Sequence, residues 1–499
     1  MRLTLISPRL ALQKADYLGS GVPYWPIELA TLAAYARESG DDVNLIDLFG
    51  NNPNLLEDAG DHYLQGQRIE GYLSSSSMVG AEIIILYAIS YMAHEELLSI
   101  IRKLRSCFLK TPIAVLENSQ AVTGYSLPKM AESLFKAGCS HLICGEPWFN
   151  WPEIKSGIVS DENYCPGNVM KACGSVMPVR LTNKNFRYPT PAWDLINLHG
   201  YWSLPYSHGP KTPTYFPILT SRGCPYPCNF CVIPETNDRK WRSRSPEDVV
   251  SEIIELRDAY NVYDFQIEDV NPTIRYERWE RICQLLIEKN VRIRFYFVSG
   301  TKAETIRIDK VPLYAKAGCR YISISPESGS NSLMKAIGKK FNYEHGLELV
   351  RACRYNNIRT QACFLVGHPD EGEGGADFNS SQAYLRALVR CGLDEVAIFV
   401  VASFAGSALY ERDAIFFKND KLIPSFSPKG RANYCELDRQ RKLLIRTFFI
   451  EKIKKGSDLW FQAARALFGT PQTKMENLPK RIFFVMRLIQ VLTLQQKKP

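Results

Sequence analysis

Short apolar runs alternate with amphipathic stretches through the first 150 residues of this 499-residue chain. In the amphipathic stretches the apolar residues are spaced three or four apart, as in a helix with one buried face. The runs cover residues 2–7, 42–48, 82–90, 111–117 and 141–146, and the helical stretches lie near 27–38, 94–106 and 127–137. Continuous apolar strands separated by helices predict a doubly wound, Rossmann-like parallel sheet over residues 1–150. Such sheets bind ligands beyond the carboxyl ends of their strands.

The alternation of strands and helices resumes near residue 214. Predicted strands cover residues 217–223, 264–269, 292–300, 321–327, 359–367 and 395–403, and helices such as 246–260 and 343–356 lie between them. Repeated βα units of this kind predict a partial (β/α)6 TIM-type barrel over residues 213–410. In such a barrel the functional residues lie at the carboxyl ends of the strands. The chain as a whole is therefore predicted to be an α/β protein.

Two segments lack this rhythm. Residues 151–212 are rich in Pro, Gly and Asn, which predicts a linker. Residues 411–499 are predicted to be a basic helical region, with 16 Lys and Arg against 5 Asp and Glu from Lys429 to Pro499. Its helical stretches, 439–455 and 478–498, either pack their apolar faces on the barrel or bind an anionic membrane surface. Nucleic-acid binding is not expected, because no RNA-binding module accompanies the charge.

Three of the fourteen cysteines, Cys224, Cys228 and Cys231, lie in one loop after the first barrel strand, in TSRGCPYPCNFCVIP (220–234). The other cysteines are scattered, and no apolar run reaches the roughly 20 residues that span a bilayer, which predicts a cytoplasmic protein. Three thiolates leave one corner of a zinc site or of an iron–sulfur cube open. One hypothesis is a zinc site completed by a distant ligand such as His208. The chain would then be a zinc-stabilised binding protein that its basic tail recruits to membranes.

The CxxxCxxC spacing of this loop resembles the signature of the radical S-adenosylmethionine (SAM) superfamily. The resemblance implies that the three cysteines hold a 4Fe-4S cluster whose open iron binds SAM. Later segments are similar to the family's strand ends, namely IEDVNPT (267–273), ISPESGS (324–330), VGHPDEG (366–372) and SFAGSALYE (403–411). In the last of these, Ala405 stands where the family commonly has proline. The resemblance implies that SAM is contacted by Phe230, Glu268, Ser325, Glu327, Gly367 and Pro369.

The parallel sheet ahead of the barrel is similar to the cobalamin-binding domain of the cobalamin-dependent branch of this superfamily. The similarity is carried by PYWPIELATLAAYARESGDDVNLIDL (23–48), CGEPWFNWPEI (144–154) and YPTPAWDLINLHGYW (188–202). From the position of strand ends in such sheets, we expect corrin contacts at Ser7, Ser90, Tyr91, Glu117, Gly145 and Glu146. The alternative is a sheet of the same fold that no longer binds a corrin.

The resemblance implies a cobalamin-dependent radical SAM enzyme, and specifically a C-methyltransferase. A 5′-deoxyadenosyl radical would remove hydrogen from an unactivated carbon of a small molecule, such as a natural product, a lipid or a pigment. Methylcobalamin would then supply the methyl group, and flavodoxin or ferredoxin would supply electrons. A radical SAM cyclase, mutase or oxidoreductase without methyl transfer is the alternative that uses the same parts. The sequence identifies no catalytic acid or base.

Overall fold

Two six-stranded sheets, one mostly and one entirely parallel, come from the two halves of the chain and form the framework of the fold. The computed structural model describes residues 1–14, 22–160, 168–171, 188–372, 375–412 and 433–454. Each sheet has six strands, and a smaller three-stranded sheet and a two-stranded hairpin accompany them. The predicted α/β fold, with an open sheet followed by a partial barrel, is confirmed.

The first sheet has the strand order β3-β1-β6-β7-β8-β9, and its first five strands are parallel. The strands of this half are β1 (Arg2–Ser7), β2 (Leu10–Gln13), β3 (Asp42–Asp47), β4 (Leu56–Asp58), β5 (His62–Gln65), β6 (Ile83–Ala88), β7 (Ile113–Glu117), β8 (His141–Ile143) and β9 (Val169–Lys171). The helices are α1 (Ile27–Glu38), α2 (His94–Cys107), α3 (Ala131–Ala137) and α4 (Trp151–Val159). All five strands predicted here are present, and α1 to α3 match the predicted helical stretches.

The sheet extends beyond the predicted boundary at residue 150. Strand β9 pairs antiparallel with β8, so part of the predicted linker belongs to the sheet. With three residues, β9 is too short to give a periodic pattern in the sequence. Strands β2, β4 and β5 form the small antiparallel sheet, which the apolar pattern also does not reveal.

Strand β6 shows why this sheet needs cover on both faces. All six of its residues are buried. Ile83 and Ile85 point to one apolar core, and Ile84 and Leu86 point to a second core on the opposite face. The first of these cores continues through the linker into the helices that surround the barrel. The two halves of the chain therefore share one apolar core.

Aromatic residues of the linker, and Tyr215 just after it, fill the junction between the two halves. Tyr201, in the short helix α5 (Leu198–Trp202), stacks on Trp25 with ring centroids 3.8 Å apart. Trp193 and Tyr215 meet the same Trp25 ring edge-on at 5.7 and 5.6 Å. Such contacts add to the free energy of simple burial. This part of the linker is a packed element of the fold.

The second sheet has the order β10-β13-β14-β15-β16-β17, with all strands parallel and in chain order. Its strands, with the hairpin β11–β12, are β10 (Phe216–Ile218), β11 (Ser221–Arg222), β12 (Arg242–Ser243), β13 (Asp264–Ile267), β14 (Arg294–Thr301), β15 (Cys319–Glu327), β16 (Arg359–Val366) and β17 (Glu395–Val400). The helices are α6 (Ile233–Thr236), α7 (Pro246–Tyr260), α8 (Tyr276–Glu288), α9 (Val311–Ala317), α10 (Asn331–Ala336), α11 (Tyr343–Tyr355), α12 (Ala376–Cys391), α13 (Ala408–Arg412) and α14 (Tyr434–Lys454). Among the described residues β10 and β17 do not pair, so the barrel is open on one side.

Helix α14 carries the first half of the basic region. Its apolar residues Leu437, Leu444 and Phe448 are buried, and the helix packs on α12 and β17. This matches the interpretation in which the apolar face rests on the barrel, whereas binding to a membrane surface stays a prediction. The second basic stretch, 478–498, lies outside the described residues. Within the described part of the chain, no helix combines the length and apolar composition needed to cross a bilayer.

Asp47 gives the junction a testable pH dependence. Its buried carboxylate accepts hydrogen bonds from the Tyr201 hydroxyl (2.7 Å) and from Gly50 N (3.0 Å). Burial raises the pKa of Asp47 to about 6, although these hydrogen bonds oppose the rise. The folded state therefore holds a proton that the unfolded chain releases near pH 4. About 3 kcal/mol of stability, present below about pH 4, should be lost as the pH rises to about 6.

We expect the Asp47→Asn variant to lack this fall in the free energy of unfolding. Urea unfolding of both proteins between pH 4 and pH 7 measures it. A wild-type profile that stays flat relative to the variant over this range would contradict the assignment.

Candidate functional site

A hairpin closes the base of the cysteine loop. Strands β11 and β12 pair antiparallel, so residues 223–241 form the loop between them. The sequence predicts one strand over 217–223, but the structure ends β10 earlier. There the Asp269 carboxylate accepts hydrogen bonds from Thr220 N (2.6 Å) and from the Thr220 hydroxyl (2.7 Å). Asp269, which follows β13, thereby holds the chain where it leaves the sheet.

The residue before the first cysteine has to be a glycine. Gly223 has φ +74°, and a Cβ atom there would lie 2.1 Å from the carbonyl oxygen of Lys240. Cys224 is buried, and Cys228 and Cys231 are partly buried. The two ends of the loop therefore pass so close to each other at Gly223 and Lys240 that no side chain fits between them. This close contact fixes the position of the backbone that leads into Cys224.

The three thiols and two lysines form one electrostatic cluster. Burial is the largest cause of the raised pKa of each thiol, and it brings the pKa of Cys224 to about 11. Cys228 raises the pKa of Cys224 and of Cys231, since neighbouring thiolates repel each other. Lys339 lowers the pKa of all three, and Lys302 lowers that of Cys224 and Cys228. The lysines thus favour thiolates, the form that binds metals.

Lys339 links the cysteine loop to the end of β15. Its buried Nζ atom donates hydrogen bonds to Glu327 Oε1 (2.6 Å) and Ser325 Oγ (2.8 Å). Ser325 Oγ in turn donates to the carbonyl oxygen of Gly300 on β14 (2.6 Å). Burial alone would lower the pKa of Lys339, but Glu327 and Cys228 raise it. Ser325 and Glu327 are predicted SAM contacts, whereas sequence reasoning missed Lys339, which lies outside the recognised segments.

The backbone at Glu327 is strained. Its φ of +59° is in the left-handed region, which costs a non-glycine residue about 1 kcal/mol or more. The pairing of β15 with β16 also shifts register between Ile324 and Glu327. Strain of this kind persists only where the surroundings impose it, and here it accompanies the contact of Glu327 with the buried lysine.

Three more predicted SAM residues lie in or beside the loop, which contains Phe230 itself. Asn229 Oδ1 and His368 Nε2 lie 3.1 Å apart, which joins the cysteine loop to the turn that contains Gly367 and Pro369. Phe230 packs beside an apolar cluster on and just after α10, formed by Leu333, Met334 and Ile337. Segments that are far apart in the chain therefore lie beside the cysteine loop, and contact of these residues with SAM stays a prediction.

Glu268, the remaining predicted SAM residue, is paired with a histidine. His208 Nδ1 and Glu268 Oε2 are 2.7 Å apart, and the two side chains are 22% and 17% exposed. His208, the histidine considered for a zinc site, is therefore engaged by a carboxylate. Across the described ranges, no three His, Cys, Asp or Glu side chains are grouped as a single metal ion requires.

The residues predicted to contact a corrin lie at the carboxyl edge of the first sheet. Ser7 Oγ is buried and has no hydrogen-bond partner within the described chain. Ser90 Oγ accepts a hydrogen bond from Met92 N (3.4 Å), and the Tyr91 ring packs against Phe404 at 4.5 Å. The unsatisfied Ser7 hydroxyl is the feature here that fits a polar ligand.

The two predicted glutamates of this edge already have protein partners. Glu117 accepts hydrogen bonds from Gly145 N (3.1 Å) and Leu127 N (3.2 Å). Glu146 pairs with Arg242 of the hairpin β11–β12 at 2.5 Å. These carboxylates hold loops and the hairpin in place, and their contact with a corrin stays a prediction.

The carboxyl edges of the two sheets face each other. Gln120, just after β7, accepts a hydrogen bond at Oε1 from Gly223 N (3.0 Å). Ser126 N donates to the carbonyl oxygen of Ala405 beyond β17 (2.8 Å). The loops that follow the strands of one sheet thus touch the loops that follow the strands of the other, with the cysteine loop between them.

Strand β16 shows that the inside of the barrel is accessible. Its residues alternate strictly, and Gln361, Cys363 and Leu365 are only half-buried while their neighbours on the strand are buried. Phe399 lies opposite Leu365 in β17 and is 42% exposed. The wall so formed combines an amide, a thiol and apolar side chains, which suits a small molecule with both polar and apolar groups.

Comparison with known proteins agrees with this arrangement. Residues 218–377 match the family model of the radical SAM superfamily. The chain is 24% identical over 419 residues to the cytidylyl-2-hydroxyethylphosphonate methyltransferase of Streptomyces wedmorensis, and the match covers 77% of each chain.

Two solved structures share the fold. The radical S-adenosylmethionine methyltransferase TsrM from Kitasatospora setae, with cobalamin and a 4Fe-4S cluster bound, has a TM-score of 0.61 and 16% identity, covering 82% of this chain and 77% of TsrM. The cobalamin-dependent S-adenosylmethionine radical enzyme OxsB with aqua-cobalamin bound has a TM-score of 0.64 and 15% identity, covering 99% of this chain and 80% of OxsB. The radical SAM domain predicted for the barrel is confirmed over residues 218–377, and the chain shares the fold of these two cobalamin-dependent proteins.

Proposed function

We propose that this chain is a cobalamin-dependent radical SAM methyltransferase that adds a methyl group to an unactivated carbon of a small molecule. The observation that carries the proposal is the position of the cysteine loop. It lies at the carboxyl ends of the barrel strands and touches the carboxyl edge of the first sheet through Gln120 and Gly223. In folds of both kinds, ligands bind at the carboxyl edge of the sheet or barrel. Here these two edges lie next to each other and border one shared space. A methyltransferase among the relatives is in line with this reaction.

The residues around the cysteine loop fit an iron–sulfur cluster and SAM. Three thiols supply the soft ligands that such clusters take. Lys339 and Glu327 offer a buried cation and a buried carboxylate beside them, which complement the carboxylate and amino groups of SAM. When bound, this pair of cofactors supplies the 5′-deoxyadenosyl radical. The protein's own task is to hold them in register and to keep water away from the radical.

The carboxyl edge of the first sheet fits the methyl donor. Ser7 offers a buried hydroxyl with no partner in the described chain, and Ser90 and Tyr91 follow the neighbouring strand β6. These residues would hold the corrin, which would supply the methyl group. The half-buried wall of β16 and β17 would contact the substrate, where Leu365 and Phe399 offer apolar contacts and Gln361 offers a polar one.

One assay tests this function. The protein is reconstituted anaerobically with iron, sulfide and hydroxocobalamin, desalted, and supplied with dithionite, SAM carrying a labelled methyl group and candidate substrates. We expect about four irons and four sulfides per chain, retained corrin absorbance, and both 5′-deoxyadenosine and S-adenosylhomocysteine as products. A labelled methyl group on the substrate completes the demonstration.

The products distinguish the alternatives. 5′-Deoxyadenosine without S-adenosylhomocysteine would overturn methyl transfer and favour a cyclase, mutase or oxidoreductase. Iron without retained corrin would favour a radical SAM enzyme with an empty first sheet. Stoichiometric zinc without iron would contradict the proposal as a whole.

The cluster ligands are tested by single substitutions. We expect Cys228→Ala to retain much less iron and sulfide after reconstitution and to lose SAM cleavage, because only two thiolates remain. Cys353→Ala is the matched control, since Cys353 is buried in α11, outside the loop. Iron and sulfide analysis with electron paramagnetic resonance (EPR) of the reduced proteins gives the result. A full cluster in the Cys228 variant would refute the ligand assignment.

Lys339 is tested through SAM binding. We expect Lys339→Met to bind SAM at least about tenfold more weakly, because a charged hydrogen bond contributes roughly 1.5–3 kcal/mol. The measurement is equilibrium dialysis with the iron-loaded protein, with iron content as the check on the cluster. Lys155→Met, which removes a lysine paired with Asp41 in the first sheet's domain, is the control. Equal affinity for SAM in the wild type and in both variants would exclude the predicted contact between Lys339 and SAM.

A further inference from the structure

The side chains of two arginines at the base of the cysteine loop extend into the N-terminal domain, which contains the first sheet. Arg222 and Arg242 pair with each other in the register of the hairpin β11–β12. Arg242 Nη2 contacts Glu146 Oε1 at 2.5 Å, and Arg222 forms an ion pair with Glu28 of α1. Arg222 Nε also lies 3.8 Å from Glu146 Oε1. Both strands of the hairpin are thus tied by charge to the neighbouring domain. We refer to these two arginines and two glutamates as the hairpin clamp.

The hairpin clamp is shielded from water. The side chains of its four members are at most 4% exposed. The Arg222 guanidinium lies 4.7 Å from the centroid of the Trp148 ring and 4.6 Å from that of Tyr188. Cation–π contacts and the loss of solvent both strengthen the directional preference of these charges.

Neutral hydrogen bonds extend the clamp to the first cysteine. Gln120 accepts from Gly223 N and donates from Nε2 to Asn237 Oδ1 (3.1 Å). Asn237 Nδ2 donates to the carbonyl oxygen of Ser119 (2.7 Å). The residue directly before Cys224 and a residue near the end of the loop are therefore both held by the loop that follows β7.

This interface is not built for stability alone. Burying charges costs free energy, and apolar residues of equal volume often give a more stable contact. The network is also incompletely satisfied, because Glu146 Oε2, Arg222 Nε and Arg242 Nε are buried without a hydrogen-bond partner in the described chain. Charged pairs fix the relative orientation of the groups that they join, whereas apolar contacts do not.

We propose that Glu28 and Glu146 are positioning residues for the cysteine loop, so that the N-terminal domain sets the geometry of the site in which the cluster forms. Nothing in the resemblance or the relatives assigns this role to them. The hairpin clamp holds the loop whether or not a cofactor is bound. The effect of the clamp on a cluster, by contrast, rests on the proposed function. The experiment therefore has a metal-free part and a metal-loaded part.

The test compares two buried ion pairs of the same domain. Glu146→Gln weakens the clamp, while Glu96→Gln weakens the pair between Arg9 and Glu96, whose side chains are 5% and 7% exposed and 2.7 Å apart. Hydrogen exchange over residues 223–241 is measured in the metal-free proteins. We expect faster exchange in this loop for Glu146→Gln only, even where both variants melt at a similar temperature.

The metal-loaded part uses the reconstituted full-length proteins. We expect Glu146→Gln to retain several-fold less iron or to show an altered EPR spectrum and reduction potential of the cluster, and Glu96→Gln to match wild type. The double variant Glu146→Gln with Arg242→Gln replaces the charged pair by a neutral hydrogen-bonded one, and we expect it to recover part of the wild-type signal. Where Glu146→Gln does not fold, Gln120→Ala serves in its place.

Each result of the hydrogen-exchange and metal-loading experiments either supports or overturns the role of the hairpin clamp. Loop exchange, iron content and EPR spectrum equal to wild type in Glu146→Gln overturn the inference while the proposed function stands. Equal changes in both variants also overturn it, because they show general destabilisation. A wild-type protein that takes up no iron refutes the proposed function, and the exchange measurement then still decides whether the clamp holds the loop.

Discussion

The contact between the carboxyl edges of two parallel sheets is the constraint on which the rest of the structure depends. Parallel strands with helices between them place the loops that follow the strands at one edge, so each half of the chain has one edge suited to ligands. Here the two edges face each other, and the cysteine loop lies in the contact. The proposed function needs two cofactors near one substrate carbon, and this juxtaposition would provide room for them.

Two kinds of interaction maintain that contact, and they differ in what they specify. The apolar core shared by the two halves supplies most of the favourable free energy, but apolar burial has no preferred direction. The stacked pair Trp25 and Tyr201 and the buried charges around Arg222 are directional, because ring geometry and ion pairing both restrict orientation. The core brings the domains together, and these contacts fix how they meet.

Much of the fold could be predicted because its signals are local. The apolar run of β6 and the helix pattern of α7 each lie within one short segment, and the structure matches both closely. The cysteine loop and the segment that contains Ser325 and Glu327 were recognisable for the same reason. Short elements were missed, as β9 has only three residues and gives no periodicity.

What the sequence could not reveal are partners that are distant in the chain. Lys339 follows a helix and resembles any surface lysine until the fold places it against Glu327. Arg222 and Glu28 are separated by 194 positions, and nothing in either segment indicates a pair. The end of β10 likewise depends on Asp269, a residue that follows the neighbouring strand β13. Tertiary contacts of this kind decide the electrostatics of the site.

The common core also limits how the two halves of the chain can move relative to each other. Swinging one domain away from the other would expose Trp25 and its aromatic neighbours to water and would separate the buried ion pairs of the hairpin clamp. Under the proposed function, the spacing between the methyl donor and the radical source would therefore stay constant from one turnover to the next. A substrate of the proposed kind would then reach the site by rearrangements of loops and side chains rather than by a hinge between the two halves.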